Sequence, residues 1–245
     1  MIKNTFDILV LNARPASGKS EIIDYLKRCD FQERLRRFHI GDFVEIDDFP
    51  MLWTWFEEDE LLEKMGQERL HSDSDGYFKY PYLWNLLIER MSFEYQKWVE
   101  RDPHYLAERT VIFEFSRGSQ HGGYASAYQH LSPAVVERMA ILYLNVSFEE
   151  SFRKNRKRYN PLKPDSILEH GLADEKMVRL YHEDDFQELT KNHKEFLEIH
   201  GQQVPYVVFE NEDDVTTTRG DALGERLEQS LDLLWQHWIK LKDRN

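Results

Sequence analysis

"FDILVLNARPASGKSEI", residues 6–22, is the stretch whose reading decides the fold. It opens on a continuous apolar run, as a strand covered by helices on both faces does, rather than on the alternation of a half-solvated strand. At Asn12 the run gives way to small residues, a proline and one lysine, and from Lys19 onward "KSEIIDYLKRC" takes helical spacing. The intervening Ala13-Arg14-Pro15-Ala16-Ser17-Gly18-Lys19-Ser20 fits G-x-x-x-x-G-K-[ST] with alanine at the first glycine. Small residues let backbone N–H groups curl around a phosphate, and the following helix offers its positive N-terminal end. In that chemistry Lys19 reaches the β and γ oxygens and Ser20 holds magnesium. The competing reading is an ordinary strand-to-helix turn, and Ala13 forgoes glycine's conformational freedom.

Working outward, "TVIFEF" (110–115), "AILYLNV" (140–146) and "YVVFE" (206–210) repeat the buried-strand pattern, and "FVEI" (43–46) is a weaker version of it. Helical patterns lie between them. The last is the clearest, with Leu223, Leu227, Leu231, Leu234 and Trp238 recurring at steps of three and four along one stripe. Strands alternating with helices predict an α/β fold with a mostly parallel five-stranded sheet, helices on both faces, and ligands at the carboxyl ends of the strands. No repeat or Gly/Ser linker interrupts the chain, so residues 1–245 read as a single domain.

Composition narrows the setting. One cysteine, Cys29, excludes an internal disulfide framework, and the N-terminal residues lack a signal-peptide design, which points to a reducing cytoplasm. The longest apolar runs are of strand length, short of the roughly 20 residues of a membrane helix. A net charge of −13 disfavours nucleic acid as a partner while leaving small phosphorylated ligands open.

The loop and the alternating pattern resemble the P-loop kinase branch of the P-loop nucleoside triphosphatases, the fold of nucleoside and nucleotide kinases. The resemblance implies ATP and Mg2+ as cofactors, Ala13–Ser20 as the triphosphate site, and a helical lid at about 147–165. It implies that Asp47 or Asp48, in "EIDDFP" after the second strand, orients the attacking hydroxyl of the acceptor; turn and cap chemistry is the plainer reading of the same pair. Glu114, near the end of the third strand, stands where a magnesium carboxylate closes such a strand, and Arg117 follows where an arginine holds phosphates. An ion pair between these two is the alternative. After the fourth strand, "SFRKNRKRY" presents Arg153, Arg156 and Arg158 at a spacing similar to a lid that clamps the phosphoryl group in transit. A solvated helix face or a nucleic-acid patch would use the same residues. Asn211, after the fifth strand, is placed like the base-binding loop of such kinases, or is a simple turn residue.

An acceptor pocket would come from an insertion at about 50–105, rich in aromatics: Trp53, Trp55, Phe56, Tyr77, Phe78, Tyr80, Tyr82, Trp84, Phe93, Tyr95 and Trp98. In its middle, "HSDSDGYFKYP" reads as a loop near the site mouth, with Lys79 as a candidate for an acceptor phosphate. "YHEDDF", around His182, reads as a solvated helix, and none of the ten histidines sits in a metal-binding spacing. The expectation is an ATP-dependent phosphotransferase acting on a small acceptor, a nucleoside or nucleotide slightly preferred, with Ser20 and Glu114 serving magnesium and with room for a homodimer. The rival is a nucleotide-hydrolysing or nucleotide-binding regulatory protein without an acceptor.

Overall fold

A computed structural model describes residues 4–158 and 171–242. Its strands are β1 (Ile8–Asn12), β2 (Asp42–Asp47), β3 (Arg109–Phe115), β4 (Met139–Asn145), β5 (Phe196–Ile199) and β6 (Gln202–Glu210). They form one six-stranded sheet in the order β2-β3-β1-β4-β6-β5. The pairings β2 to β3, β3 to β1, β1 to β4 and β4 to β6 are parallel, so the α/β, mostly parallel architecture expected from the sequence is the observed one.

Side-chain alternation explains the apolar runs. Ile8 and Val10 of β1 enter a core shared with Met91 and Tyr95, while Leu9 and Leu11 enter the opposite core with Ile22, Leu26 and the C-terminal stripe. Every residue of β1 is therefore buried, which is why the run does not alternate. The final helix, Asp221–Lys242, buries Leu223, Leu227, Leu231, Leu234 and Trp238 on that second face, as its spacing predicts.

The sixth strand is a departure from the five expected. β5 pairs antiparallel with β6 at the sheet edge, through a two-residue turn in which His200 and Gly201 both have positive φ (51° and 71°). A tight hairpin with the twist of its strands needs that backbone, and X-Gly between apolar runs is its sequence signal. Pairing with β5 also carries β6 back to Gln202, earlier than the apolar run at 206.

Between β2 and β3 lie the helices Asp48–Lys64 and Tyr82–Arg101 and the loop joining them. Asp59, inside the first helix, is buried and accepts from the backbone N–H groups of Leu70 (2.6 Å), His71 (3.0 Å) and Ser72 (2.5 Å), and from the Ser72 hydroxyl (2.7 Å). Burial works against its charge, but these donors outweigh it and hold the carboxyl down to about 2. One carboxylate thus pins the start of the polar loop, residues 70–72, to the helix Asp48–Lys64. Among the described residues no helix is long and apolar enough to cross a membrane.

Candidate functional site

The residues after β1 build an anion cradle. Gly18 sits at φ 109° as the N-cap of the Lys19–Arg28 helix, with no side chain capping the first turn, so the first N–H groups of that helix are left for a ligand. A Cβ on Gly18 would stand 2.5 Å from the Thr216 hydroxyl and 2.9 Å from the Asn211 amide nitrogen. Only glycine meets both the left-handed backbone and this close approach. Ala13 is buried and is not among the residues of positive φ; that backbone instead falls on Ala16, at 56°. The position where alanine replaces glycine in the motif therefore does not ask for glycine's freedom in this loop.

Neighbouring segments hold the loop from several sides. The Tyr124 hydroxyl donates to the carbonyl of Ala13 (3.0 Å), the Ser151 hydroxyl to that of Pro15 (2.7 Å), and the Asn211 amide to that of Ser17 (2.9 Å). Asn211 is fully buried and also bonds Thr216, so its side chain braces the loop. Arg14 turns away from the cradle: its guanidinium donates to the carbonyls of Val146 and Tyr181 and pairs with Asp184 at 2.8 Å. "YHEDDF" is correspondingly not a solvated helix. Asp184 also accepts from the Tyr143 hydroxyl, and Asp185 accepts from the N–H groups of Tyr124 and Ala125 at the start of the Gly123–Gln129 helix.

Lys19 is 7% exposed; its ammonium donates to the Ser116 hydroxyl (2.8 Å) and lies 3.9 Å from Glu114. Burial lowers its pKa, against the pull of Glu114, Asp47 and Asp48. Ser20 donates to Glu114 at 3.4 Å, which joins the two residues expected to serve magnesium. Burial raises the pKa of Glu114, with Lys19 opposing and Asp48 adding to the rise; Asp47 is raised in turn by burial, then by Glu114 and Asp48. Burial and mutual repulsion thus both favour the protonated forms of these carboxyls. Among the described residues no group of three or more His, Cys, Asp or Glu is arranged to hold a metal unaided. A hydroxyl and a carboxylate beside a phosphate cradle do fit Mg2+, which keeps several waters and takes its other ligands from substrate phosphates.

The two aspartates differ. Asp47 is the N-cap of the Asp48–Lys64 helix and accepts from Phe49 N–H at 2.9 Å. Asp48 is buried against Arg117, whose guanidinium also donates to the carbonyls of Trp84 and Ser116. Arg117 is 1% exposed and pairs with Asp48, not with Glu114 as the alternative ion pair would have it. Both aspartates, Lys19, Ser20, Glu114 and Arg158 line one cleft.

The arginines after β4 separate. Arg153 is paired with Glu150 and Asp214, and Arg156 with Asp174, all at the surface, whereas Arg158 lines the cleft. Of the segment 147–165 expected as a lid, residues 159–165 lie outside the described residues.

A second cavity adjoins the first, with Phe49, Leu52, Trp84, Leu172 and Tyr181 lining both. Its wall takes Trp53, Phe56, Tyr77 and Phe78 from the aromatic insertion, while Trp55 and Tyr95 are core and Tyr80 stacks on Tyr82 at the surface. Lys79 is not part of it: its ammonium donates to the carbonyl of Arg69. The cations of this cavity are Lys176 and Arg179, three residues apart on the Asp174–Tyr181 helix, and sequence reading passed over both because no motif surrounds them.

No family model matches the chain, and no curated protein matches it by sequence. Among solved structures it is similar in fold to a gluconokinase from Sinorhizobium meliloti 1021 (11% identity over 99% of each chain, TM-score 0.43). It is also similar to a shikimate kinase from Bacteroides thetaiotaomicron (17% identity, 95% of this chain and 99% of that one, TM-score 0.41). A sugar kinase from Janibacter sp. HTCC2649 is similar over 93% of this chain and 95% of its own, at 13% identity and a TM-score of 0.41.

Proposed function

We propose that the chain is an ATP-dependent phosphotransferase that moves the γ-phosphoryl group to a hydroxyl or phosphate of a small acceptor, in a single domain working in the cytoplasm. The observation that carries this reading is that the cleft over the Pro15–Glu21 loop and an aromatic cavity adjoin through five shared wall residues, with Asp47 and Asp48 lining the loop side. A regulatory nucleotide switch needs the first part and has no use for the second.

In this reading the amides of Ala13–Ser20 and the Lys19 ammonium hold the β and γ phosphates, braced by Asn211 from below. Ser20 and Glu114 orient magnesium, which when bound neutralises charge on the transferred group. Asp47 accepts the proton of the acceptor hydroxyl, a proton its raised pKa favours keeping. The acceptor oxygen bonds to the γ phosphorus as the bond to the bridging oxygen breaks and ADP leaves. Asp48 is held in the wall by its pairing with the buried Arg117, and Arg158 faces the developing charge from the helix Phe148–Arg158. Arg153 and Arg156 join only by exchanging their surface partners. Within the acceptor class, a planar molecule such as a nucleoside or nucleotide suits the aromatic wall.

The test follows the label of γ-labelled ATP with a panel of nucleosides, sugars and aromatic alcohols. Label in a phosphorylated small molecule, absent with Lys19→Ala, supports the reading; label released only as inorganic phosphate, or retained on ATP, refutes it.

A further inference from the structure

The outer cavity differs in charge from everything around it. The chain has 45 Asp and Glu against 32 Lys and Arg, and the inner cleft takes Glu21, Asp47, Asp48 and Glu114 into its wall. Among the described residues, no Asp or Glu lines the outer cavity at all, and its charged groups are Lys176 and Arg179. Neither is paired with a carboxylate among the described residues. Lys176 donates to the carbonyl of Gly76 (3.0 Å), which leaves it further N–H donors, and the Arg179 guanidinium lies over the Tyr77 ring, 4.1 Å from its centroid. An arginine stacked on an aromatic face keeps its in-plane N–H groups for an anion.

The wall also holds a buried histidine, His121. His121 is 5% exposed and stacks on Trp84 with ring centroids 3.9 Å apart. Burial, and then Arg117, hold its pKa down to about 3, so the ring is neutral. Its Nδ1 accepts weakly from Gly118 N–H (3.5 Å), which assigns the ring proton to Nε2, and Nε2 is buried out of reach of the cavity, so the histidine presents a ring rather than a donor. Among the described residues the wall of this cavity therefore offers cations and aromatic faces but no carboxylate.

We propose, building on the phosphotransferase reading, that the acceptor has a planar apolar body seated among these aromatics and carries an anionic group, carboxylate or phosphate, remote from its reacting hydroxyl and held by Lys176 and Arg179. The hydroxyl end faces the aspartates and the anionic end faces the helix Asp174–Tyr181. That arrangement fixes the acceptor's direction: the reversed pose would take the anionic group away from Lys176 and Arg179 and set it beside the buried carboxyls of Asp47 and Glu114.

The test is a binding titration by quenching of tryptophan fluorescence, since Trp53 and Trp84 line the cavity. Three probes share a benzylic hydroxyl: 4-(hydroxymethyl)benzoate, 4-(hydroxymethyl)phenyl phosphate and the neutral 4-methylbenzyl alcohol. On the wild-type chain at least one anionic probe is expected to bind about tenfold more tightly than the alcohol, the scale of charge-assisted contacts at a partly exposed site. Which anion binds better separates a carboxylate from a phosphorylated acceptor. In Lys176→Gln/Arg179→Gln that preference is expected to fall towards one, with Lys176→Arg/Arg179→Lys restoring most of it, and in Lys19→Ala it is expected to persist. Equal binding of charged and neutral probes, no binding of either anionic probe, or a preference that survives the double glutamine variant overturns the proposal. Because Lys19→Ala reports on phosphoryl transfer and not on this readout, an anionic preference without any label transfer would overturn the phosphotransferase reading alone.

Discussion

The inner cleft and the outer cavity share five wall residues and are opposite in construction. The inner cleft takes one uninterrupted stretch of seven residues, Pro15–Glu21, as its floor and completes its wall with the ends of β2 and β3 and with side chains from later helices. Its carboxylates are buried enough to push one another's pKa upward, and one of them, Asp48, is locked on the buried Arg117 behind the wall. The outer cavity is assembled from four separate segments around Phe49–Phe56, Gly76–Trp84, Gln120–His121 and Gly171–Tyr181, and among the described residues its cations have no carboxylate partner. Phosphate recognition uses backbone amides, and so it demands a contiguous local conformation; acceptor recognition uses side chains, and so it can be collected from anywhere the fold brings together.

The largest expected effect that sharpens this contrast is at Lys19. Lys19→Ala should lower phosphoryl transfer by more than ~1000-fold, the scale of losing a preorganised charge on the transferred group, with an unchanged circular dichroism spectrum. Turnover within tenfold of wild type would remove the cradle from the chemistry.

Next comes stability. Arg117→Leu leaves Asp48 buried without its partner and should cost about 3–5 kcal/mol in denaturant unfolding. Arg179→Gln, in the outer cavity, should stay within ~0.5 kcal/mol of wild type. If the two variants cost the same, the division into a locked inner and an open outer set of charges fails.

Asp47 allows its cap and its chemistry to be pulled apart. Asparagine caps helices about as well as aspartate, so Asp47→Asn should keep the stability supplied through Phe49 N–H while slowing turnover by about 100-fold, within the range for a lost general base. A turnover equal to wild type would leave Asp47 as a cap only. The same variant reads out the carboxylate repulsion. A carboxyl whose folded pKa is raised binds more protons folded than unfolded, so its contribution weakens as pH rises above its ordinary value near 4. In magnesium-free buffer the melting temperature of Asp47→Asn should therefore gain on wild type between pH 4 and pH 8, and Mg2+ with ADP should narrow the gap.

The smallest effect concerns the loop backbone. Ala16 holds a left-handed conformation at φ 56°, so Ala16→Gly should relieve up to ~1 kcal/mol of strain, offset in part by the greater freedom of glycine in the unfolded chain. A loss of more than that would show that the Ala16 methyl is needed for packing.

How much was legible follows from the same contrast. The four central strands, the loop and the final helix were readable because burial on both faces of a parallel sheet, and the stripe at helical spacing, write directly into sequence order. β5 was not, because its hairpin signal was a single His-Gly pair flanked by mixed residues. In the site, Lys19, Ser20 and Glu114 stand together as their motif positions imply. The partner of Arg117 was not readable, since Asp48 lies 69 residues away in sequence. Nor were Lys176, Arg179 and His121, which acquire meaning only when the insertion and the helix after β4 close one cavity. Asp184 and Asp185 were misread as solvated because a run of acids looks the same whether it faces water or ties down an arginine and a helix start.

The most direct measurement is a crystal structure with ADP, Mg2+ and aluminium fluoride, which imitates the phosphoryl group in transit. The expected density places the β-phosphate against the amides before Lys19, with its ammonium on the bridging region, and the fluoroaluminate between Ser20 and Asp47 with its open side towards the aromatic cavity. Nucleotide bound elsewhere, or a fluoroaluminate whose open side faces bulk water instead of that cavity, would contradict a shared path from triphosphate to acceptor.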